Sequence, residues 1–493
     1  MALHILSSNS SSEKTLGFSS ERNHNGSESA RTLEKLFKPR TVAVVGASAD
    51  PHKPSYKICE NLSSNPNIVL YPVNPKYGNL LGHRCYSHIS ELPECADLAV
   101  ISLPAGSVIN AVEDCIKSGI KNLVIISSGF SETGVEGVRM EKKLKEMVDR
   151  NCVHVLGPNT LGFINTHDGI DVTFLGKTTF QRPLPGSVSL ISQSGSLAVD
   201  FMEELAYHGT GLSHFIGLGN KVDITEVEAL EYLRVDVHTR VVAIYIENLV
   251  NGFEFFRTCK NYPKPIVLLK GGRSNKGSMA AMLHTGRMGG NYRIIKGVME
   301  QLNLILASDE VELLDYTRAF LCPYPPAGRR VVIITNGGGN GIIAADLIEE
   351  RWSERIEVAE LPQNVKGKLR SLLPSYISPN NPVDLTSEST NEHYLTVVEI
   401  LAEERVCDIL LLGITPNERL NANVVPEIAK VCRKYNLPAF GYIKCPSLQM
   451  GLIKKFARVN LPVYPSVSRA VNAIGTFVSW YSGEAQENAG NRT

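Results

Sequence analysis

The sequence predicts an α/β protein of three consecutive doubly wound units, and three observations carry that expectation. From Thr41 onward, short β-branched runs alternate with helical stretches, the signature of parallel α/β construction. Successive runs in the first unit lie about 25 to 30 residues apart, which leaves room for one crossover helix each. Two proline-bearing joints, Arg182-Pro183-Leu184-Pro185-Gly186 and Cys322-Pro323-Tyr324-Pro325-Pro326-Ala327-Gly328, cut the series into three. At 493 residues the chain is too long for one hydrophobic core, in line with about three domains.

The first unit, residues 33–180, is expected to place strands at 41–45, 68–73, 98–103, 123–127 and 153–156. The second, 181–322, begins with the run Ser187-Val188-Ser189-Leu190-Ile191 and continues with strands at 214–218, 241–246, 266–269 and 304–307. The third, 329–482, opens with Arg330-Val331-Val332-Ile333-Ile334-Thr335, adds strands at 409–412 and 439–443, and closes with a helix over 466–480. Residues 1–32, rich in Ser and Asn, and 483–493 read as disordered tails.

Fifty basic and fifty acidic residues cancel, so neither nucleic acid nor an anionic membrane is an expected partner. No apolar run approaches the ~18 residues of a membrane span, and the N-terminal stretch lacks the apolar core of a secretion signal. Ten scattered cysteines, without a C-x-x-C pair, fit reduced thiols in the cytoplasm and give no metal-ligand spacing.

Positive charge is local. Between Phe255 and Met299 the chain has nine Lys/Arg and no Asp or Glu, with His284 among the glycines of Lys270-Gly271-Gly272 and Gly286-Arg287-Met288-Gly289-Gly290. A glycine-rich loop lets backbone N–H groups approach an anion, and an imidazole among cations is placed to accept a phosphoryl group. Glu247, at the end of the preceding strand, reads either as a carboxylate that fixes the tautomer of His284 or as a helix-capping acid.

Small, polar turns recur at the strand ends. After Val45-Gly46-Ala47-Ser48, the turns Val73-Asn74-Pro75-Lys76, Ser102-Leu103-Pro104-Ala105, Ser127-Ser128-Gly129-Phe130 and Gly157-Pro158-Asn159-Thr160-Leu161-Gly162 belong to the same sheet edge and are expected to line one crevice, with Lys53, Lys57 and Lys76 near enough to neutralise phosphate. The full G-x-G-x-x-G fingerprint is absent, so a nicotinamide dinucleotide is disfavoured. In the second unit Ser192-Gln193-Ser194-Gly195 ends a strand and opens a helix, a natural anion site. It lacks the glycine two places before serine that a hydrolase elbow requires.

As a set, Val45-Gly46-Ala47-Ser48, Gly157-Pro158-Asn159, Ser192-Gln193-Ser194-Gly195, Gly217-Leu218-Gly219-Asn220, His284-Thr285-Gly286 and Thr335-Asn336-Gly337-Gly338 resemble the α subunit of the ADP-forming (NDP-forming) acyl-CoA synthetases, relatives of succinyl-CoA synthetase. The resemblance runs from about Leu33 to Trp480. It implies a Rossmann-like CoA-binding domain followed by two flavodoxin-like domains, the first of these being the ligase domain with the phosphohistidine. By it His284 is phosphorylated and Glu247 orients it; Gly46, Ala47, Ser48, Lys76, Pro104 and Asn159 hold CoA; Asn159, Ser194 and Gly195 face the acyl and phosphate site.

The same resemblance implies that a separate ATP-grasp β subunit carries ADP or ATP and Mg²⁺, in an α2β2 assembly acting on a small carboxylic acid. The reaction implied converts acyl-CoA, ADP and phosphate into acid, CoA and ATP through an acyl phosphate. Two alternatives stand beside it: a CoA-binding regulatory subunit without turnover, and a succinate-specific ligase, against which the third domain argues. The chain departs from the family at Leu283, where serine is usual, and at Arg287-Met288-Gly289-Gly290, where a Ser-Leu-Ala-Gly-like run is usual.

Overall fold

Thr41-Val42-Ala43-Val44-Val45 shows no polar alternation because both faces of its strand are covered, and Val42, Ala43 and Val44 have no exposed surface. Burying each of those valines contributes about 1.5–3 kcal/mol. In the computed structural model, which describes residues 33–285, 292–421, 423–443 and 449–490, this strand is second in a five-stranded parallel sheet. The sheet order is Val69–Val73, Thr41–Val45, Leu98–Ile101, Asn122–Ile125, His154–Leu156.

The second sheet repeats that winding in its parallel part: Leu212–Gly217, Pro185–Ser192, Val241–Ile246, Ile266–Lys270, Ile305–Ala307. The third repeats it again with Glu357–Val358, Arg330–Thr335, Ile409–Ile414, Ala439–Ile443 and Val463–Tyr464, while Val383–Asp384 joins the carboxyl end of Arg330–Thr335. In each sheet the direction of winding reverses beside the first strand, which leaves a crevice at that strand's carboxyl end.

The units are packed into shared cores. One cluster runs from Val42 and Val44 of the first sheet to Ile191 and Ile244 of the second. Another joins Leu190 and Phe320 of the second unit to Ile333, Phe477 and Trp480 of the third. The loop after His154–Leu156 ties the first two units more closely than the strand pattern suggests. Its strands Phe163–Asn165 and Ile170–Asp171 add antiparallel edges to the second sheet, beside Leu212–Gly217. Both are too short to show a period.

Two expectations are corrected. The closing helix runs Val467–Gly490, so helix continues where a tail from residue 483 was expected. His284 is not in the middle of a loop: it lies in the last turn of the helix Asn275–Thr285. Ser274 caps that helix by accepting the Gly277 N–H at 3.1 Å, and Met279-Ala280-Ala281-Met282-Leu283, all good helix formers, outweigh the single Gly277. The expected N-terminal tail, residues 286–291 of the expected glycine-rich loop and the side chains of Leu283, His284 and Thr285 lie outside the described residues.

Candidate functional site

The carboxyl ends of the first two sheets face each other across a cavity of about 940 Å³, within the range of small-molecule sites. Gly46 lines it at the switch point of the first sheet. Its φ is +88°, and a Cβ there would lie 2.4 Å from the Ser102 carbonyl oxygen and 2.7 Å from Leu103 Cδ2. Only glycine lets this turn sit so close to its neighbour.

Three helix starts converge on the same space. Pro54–Leu62 and Ala105–Lys117 begin without a side-chain cap, and Lys53, Pro54, Pro104 and Ala105 line the wall. The helix Gly195–Tyr207 is capped by Ser194, whose Oγ accepts the Leu197 N–H, while Ser194, Gly195 and Ser196 line the opposite wall. Among the described lining residues there is one cation, Lys53, and no carboxylate. Positive dipole ends without competing negative charge make an anion site. Beyond that polar part, Leu161, Phe174, Leu175 and Val199 give the cavity an apolar side.

Backbone contact welds the two walls. The Asn220 N–H donates to the Pro158 carbonyl at 2.9 Å and the Val222 N–H to that of Gly157 at 3.0 Å. Gly219, at φ +57°, packs so tightly that a Cβ would stand 2.2 Å from the Pro158 oxygen. Asn159 Nδ2 donates to Asn220 Oδ1 at 3.3 Å.

Of the residues singled out from the sequence, Gly46, Pro104, Asn159, Ser194 and Gly195 meet at this cavity. Ala47, Ser48 and Lys76 do not form its wall: Ala47 and Ser48 are buried behind the turn, where Ser48 Oγ accepts the Asp50 N–H, and Lys76 is exposed outside it. Asn74, two residues before Lys76, lines the wall instead and donates to the Ala47 carbonyl at 2.6 Å. The nearness of Lys76 to the strand end pointed to a phosphate-neutralising cation; at this turn the wall carries the Asn74 amide, while Lys53 is the lysine that lines it.

Glu247 is buried one layer behind the cavity. Its N–H donates to Oε1 of Gln193, a lining residue, at 2.9 Å, and Tyr245 Oη donates to Glu247 Oε1 at 3.4 Å. Burial, with the Glu247 carboxylate adding to it, pushes the Tyr245 phenol up to about 12, so it remains a donor. The helix Asn275–Thr285 that carries His284 packs against the turn Ser131–Thr133, which closely follows Ser127 and Ser128 on the cavity wall.

Lys270, part of the Lys270-Gly271-Gly272 run, and Lys221, in the strand-end turn that begins at Gly217, carry no sequence signal of burial, yet both are buried under the Glu247 turn. Lys221 Nζ lies 3.1 Å from Glu226 Oε2, and neither side chain is exposed. Removing one member of such a pair strands the other charge, at a cost of about 3–5 kcal/mol. Lys221→Met is therefore expected to lower the unfolding free energy by about that amount, and Lys221→Met with Glu226→Met to recover most of it, read by thermal and denaturant melts.

A larger groove, about 1320 Å³, opens at the opposite edge of the first sheet, where Glu34, Asp97 and Asp168 are mixed with Lys35, Lys38 and Lys121. It has mixed charge and none of the strand-end turns.

A family model described as a CoA binding domain matches residues 40–166, and one described as a succinyl-CoA ligase-like flavodoxin domain matches residues 185–320. The α subunit of the ADP-forming acetate–CoA ligase II of Pyrococcus furiosus is 35% identical over 396 residues, covering 78% of this chain and 85% of the relative. The α subunit of that organism's isoenzyme I is 34% identical, covering 92% of this chain and 99% of the relative. A solved dinucleotide-forming acetyl-coenzyme A synthetase 1 of Ca. Korarchaeum cryptofilum, in complex with phosphate and ADP, superposes with a TM-score of 0.84 at 28% identity, covering 92% of this chain and 97% of the other.

Proposed function

Because this chain belongs to the family of ADP-forming acetate–CoA ligase α subunits, we propose that it interconverts an acyl-CoA, ADP and phosphate with the carboxylic acid, CoA and ATP, through an acyl phosphate and a phosphohistidine at His284. The observation that supports this best is the cavity itself. It joins the switch point of the CoA-binding unit to the serine-capped helix N-terminus at Gly195 in the ligase unit, with no carboxylate on its described wall to repel phosphate.

In this reading Gly46, Asn74 and Pro104 let CoA lie along the first sheet's edge, with Ala47, Ser48 and Lys76 outside the wall. The Gly195 and Ser196 amides, with Asn159, hold phosphate against the thioester carbonyl, where oriented N–H groups stabilise the charge that develops on its oxygen. Phosphate oxygen attacks the carbonyl carbon and the C–S bond breaks, which releases CoA as the thiol. His284 then takes the phosphoryl group from the acyl phosphate and frees the carboxylate, with Glu247 holding the imidazole.

The units 33–180, 181–322 and 329–482 divide this work among CoA binding, phosphoryl transfer and support of the ligase unit. Relatives named α subunits imply a partner subunit. We assign the partner an ATP-grasp fold that carries ADP or ATP with Mg²⁺, in an α2β2 complex. The described cysteines are free thiols, mostly buried, which supports the cytoplasm as the compartment. No helix among the described residues is long and apolar enough to cross a membrane.

The chain co-purified with its partner should form ATP from acetyl-CoA, ADP, phosphate and Mg²⁺. Tight CoA binding with no ATP, over a panel of acyl-CoA thioesters from acetyl to aryl acetyl, would instead make it a regulatory subunit.

A further inference from the structure

Both peptide units of the Glu247–Asn248 turn are held by side chains, two buried lysines on the carbonyls and the half-buried Gln193 on the N–H groups. Lys270 Nζ donates to the Glu247 carbonyl and Lys221 Nζ to the Asn248 carbonyl, each at 2.6 Å. Gln193 Oε1 accepts the N–H of Glu247 at 2.9 Å and of Asn248 at 3.4 Å, and Gln193 Nε2 donates to Asn248 Oδ1 at 2.7 Å. Lys270 and Lys221 are 1% and 2% exposed. Two ammonium groups on consecutive carbonyls are far more than a surface turn needs, since an ordinary strand end satisfies those oxygens with water or backbone.

We propose that Lys270 and Lys221 are positioning residues of the phosphoryl-transfer step, a buried cationic clamp that holds the Glu247 carboxylate in register with the imidazole it orients. The inference rests on the reading of His284 and Glu247 given above. Its physical basis is that a carboxylate supporting an imidazole must be fixed to within a fraction of an ångström, and charge-assisted bonds in a dry site are stiffer than neutral ones.

The two lysines differ in a useful way. Lys221 is matched by Glu226. Lys270 also donates to the Gly271 carbonyl, and the charged groups acting on it are the Glu247 carboxylate and the Lys221 ammonium. Burial pushes the Lys270 ammonium down to about 8, against the pull of Glu247 and with Lys221 adding to the fall. Tyr245, pushed up to about 12, stays protonated through this range, and Lys270 titrates within it. As pH rises through about 8 the clamp loses one charge and activity falls. The fold responds with the opposite sign, because a lysine lowered from 10.5 destabilises the native state while charged, and that cost is relieved between about 8 and 10.5.

The test uses the chain with its partner subunit and measures, across pH, steady-state turnover with CoA (kcat and KM) and the single-turnover rate of histidine phosphorylation from radiolabelled ATP. The native complex should show an alkaline limb near pH 8. Lys270→Met should lower kcat at least about 10-fold, keep KM for CoA within about twofold, and lose the limb. A native profile flat to about pH 9.5, or a folded Lys270→Met enzyme with kcat within about twofold of native, overturns the clamp. The native profile decides the matter even where the methionine variant does not fold. Parallel labelling of His284→Ala separates the two levels: label lost there but unchanged in Lys270→Met sinks the clamp alone, whereas label retained in His284→Ala sinks the phosphohistidine reading itself.

Discussion

Alanine at position 284 is expected to abolish covalent phosphate on the chain. With the partner subunit, radiolabelled ATP and Mg²⁺, the native chain should gain an acid-labile, base-stable label and the His284→Ala chain none. ATP formation from acyl-CoA should fall by about 10⁴-fold or more, because the substitution removes the nucleophile and no single-step route replaces it. The helix that carries His284 packs on the turn beside the cavity, and the stretch from Phe255 to Met299 carries nine cations and no carboxylate. Glu247→Gln should be milder, a loss of about 10- to 100-fold, since an orienting group assists the nucleophile without being it. Full labelling of the alanine chain would show that phosphate resides elsewhere, and the proposed route from acyl phosphate to ADP would lose its carrier.

Much of the fold was legible because parallel strands covered on both faces leave an unmistakable mark. Val42-Ala43-Val44 and Ile409-Leu410-Leu411-Leu412 are continuous apolar runs with no alternation, and the structure places strands there. The edges were not legible. Phe163–Asn165 is held in place by tertiary pairing with Leu212–Gly217, and Ile170–Asp171 by pairing with Phe163–Asn165 in turn, and nothing local distinguishes either from loop. The glycines around His284 suggested a loop because glycine count is a composition signal, whereas Met279 to Leu283 set the local propensity and continued the helix.

The site divided along the same line. Turns at strand ends, such as Gly46, Pro104, Asn159 and Ser194, follow from topology alone, since parallel strands bring their carboxyl ends to one edge. Which side chain at each turn reaches the cavity depends on backbone direction within two or three residues. That is why Asn74 lines the wall and Lys76 does not. The burial of Lys221 and Lys270 was invisible for a further reason. A lysine in a glycine-bearing turn reads as solvated, and tertiary contacts take both ammonium groups out of water, Lys221 against Glu226 and the Asn248 carbonyl and Lys270 against the Glu247 carbonyl.

Gly46→Ala is expected to cost nearly all affinity for CoA. Two penalties add at this position. The φ of +88° is one that a residue with a Cβ adopts only with strain, about 1–2 kcal/mol, and the new methyl would stand 2.4 Å from the Ser102 carbonyl, a backbone atom that cannot rotate away. The turn must therefore move, and it can move only into the cavity or against Leu103, whose Cδ2 would be 2.7 Å from the methyl. Either shift disturbs the helix start at Pro104 that faces the ligand. Together they predict a loss of about 100-fold or more in CoA affinity by calorimetry and about 2–4 kcal/mol in stability. Gly78→Ala is the matched control, since a Cβ there meets nothing within 4 Å and its backbone needs no positive φ. If Gly46→Ala binds CoA as tightly as the Gly78→Ala chain does, the first sheet's switch point is not where CoA sits, and the cavity would have to be filled by the acyl and phosphate groups alone.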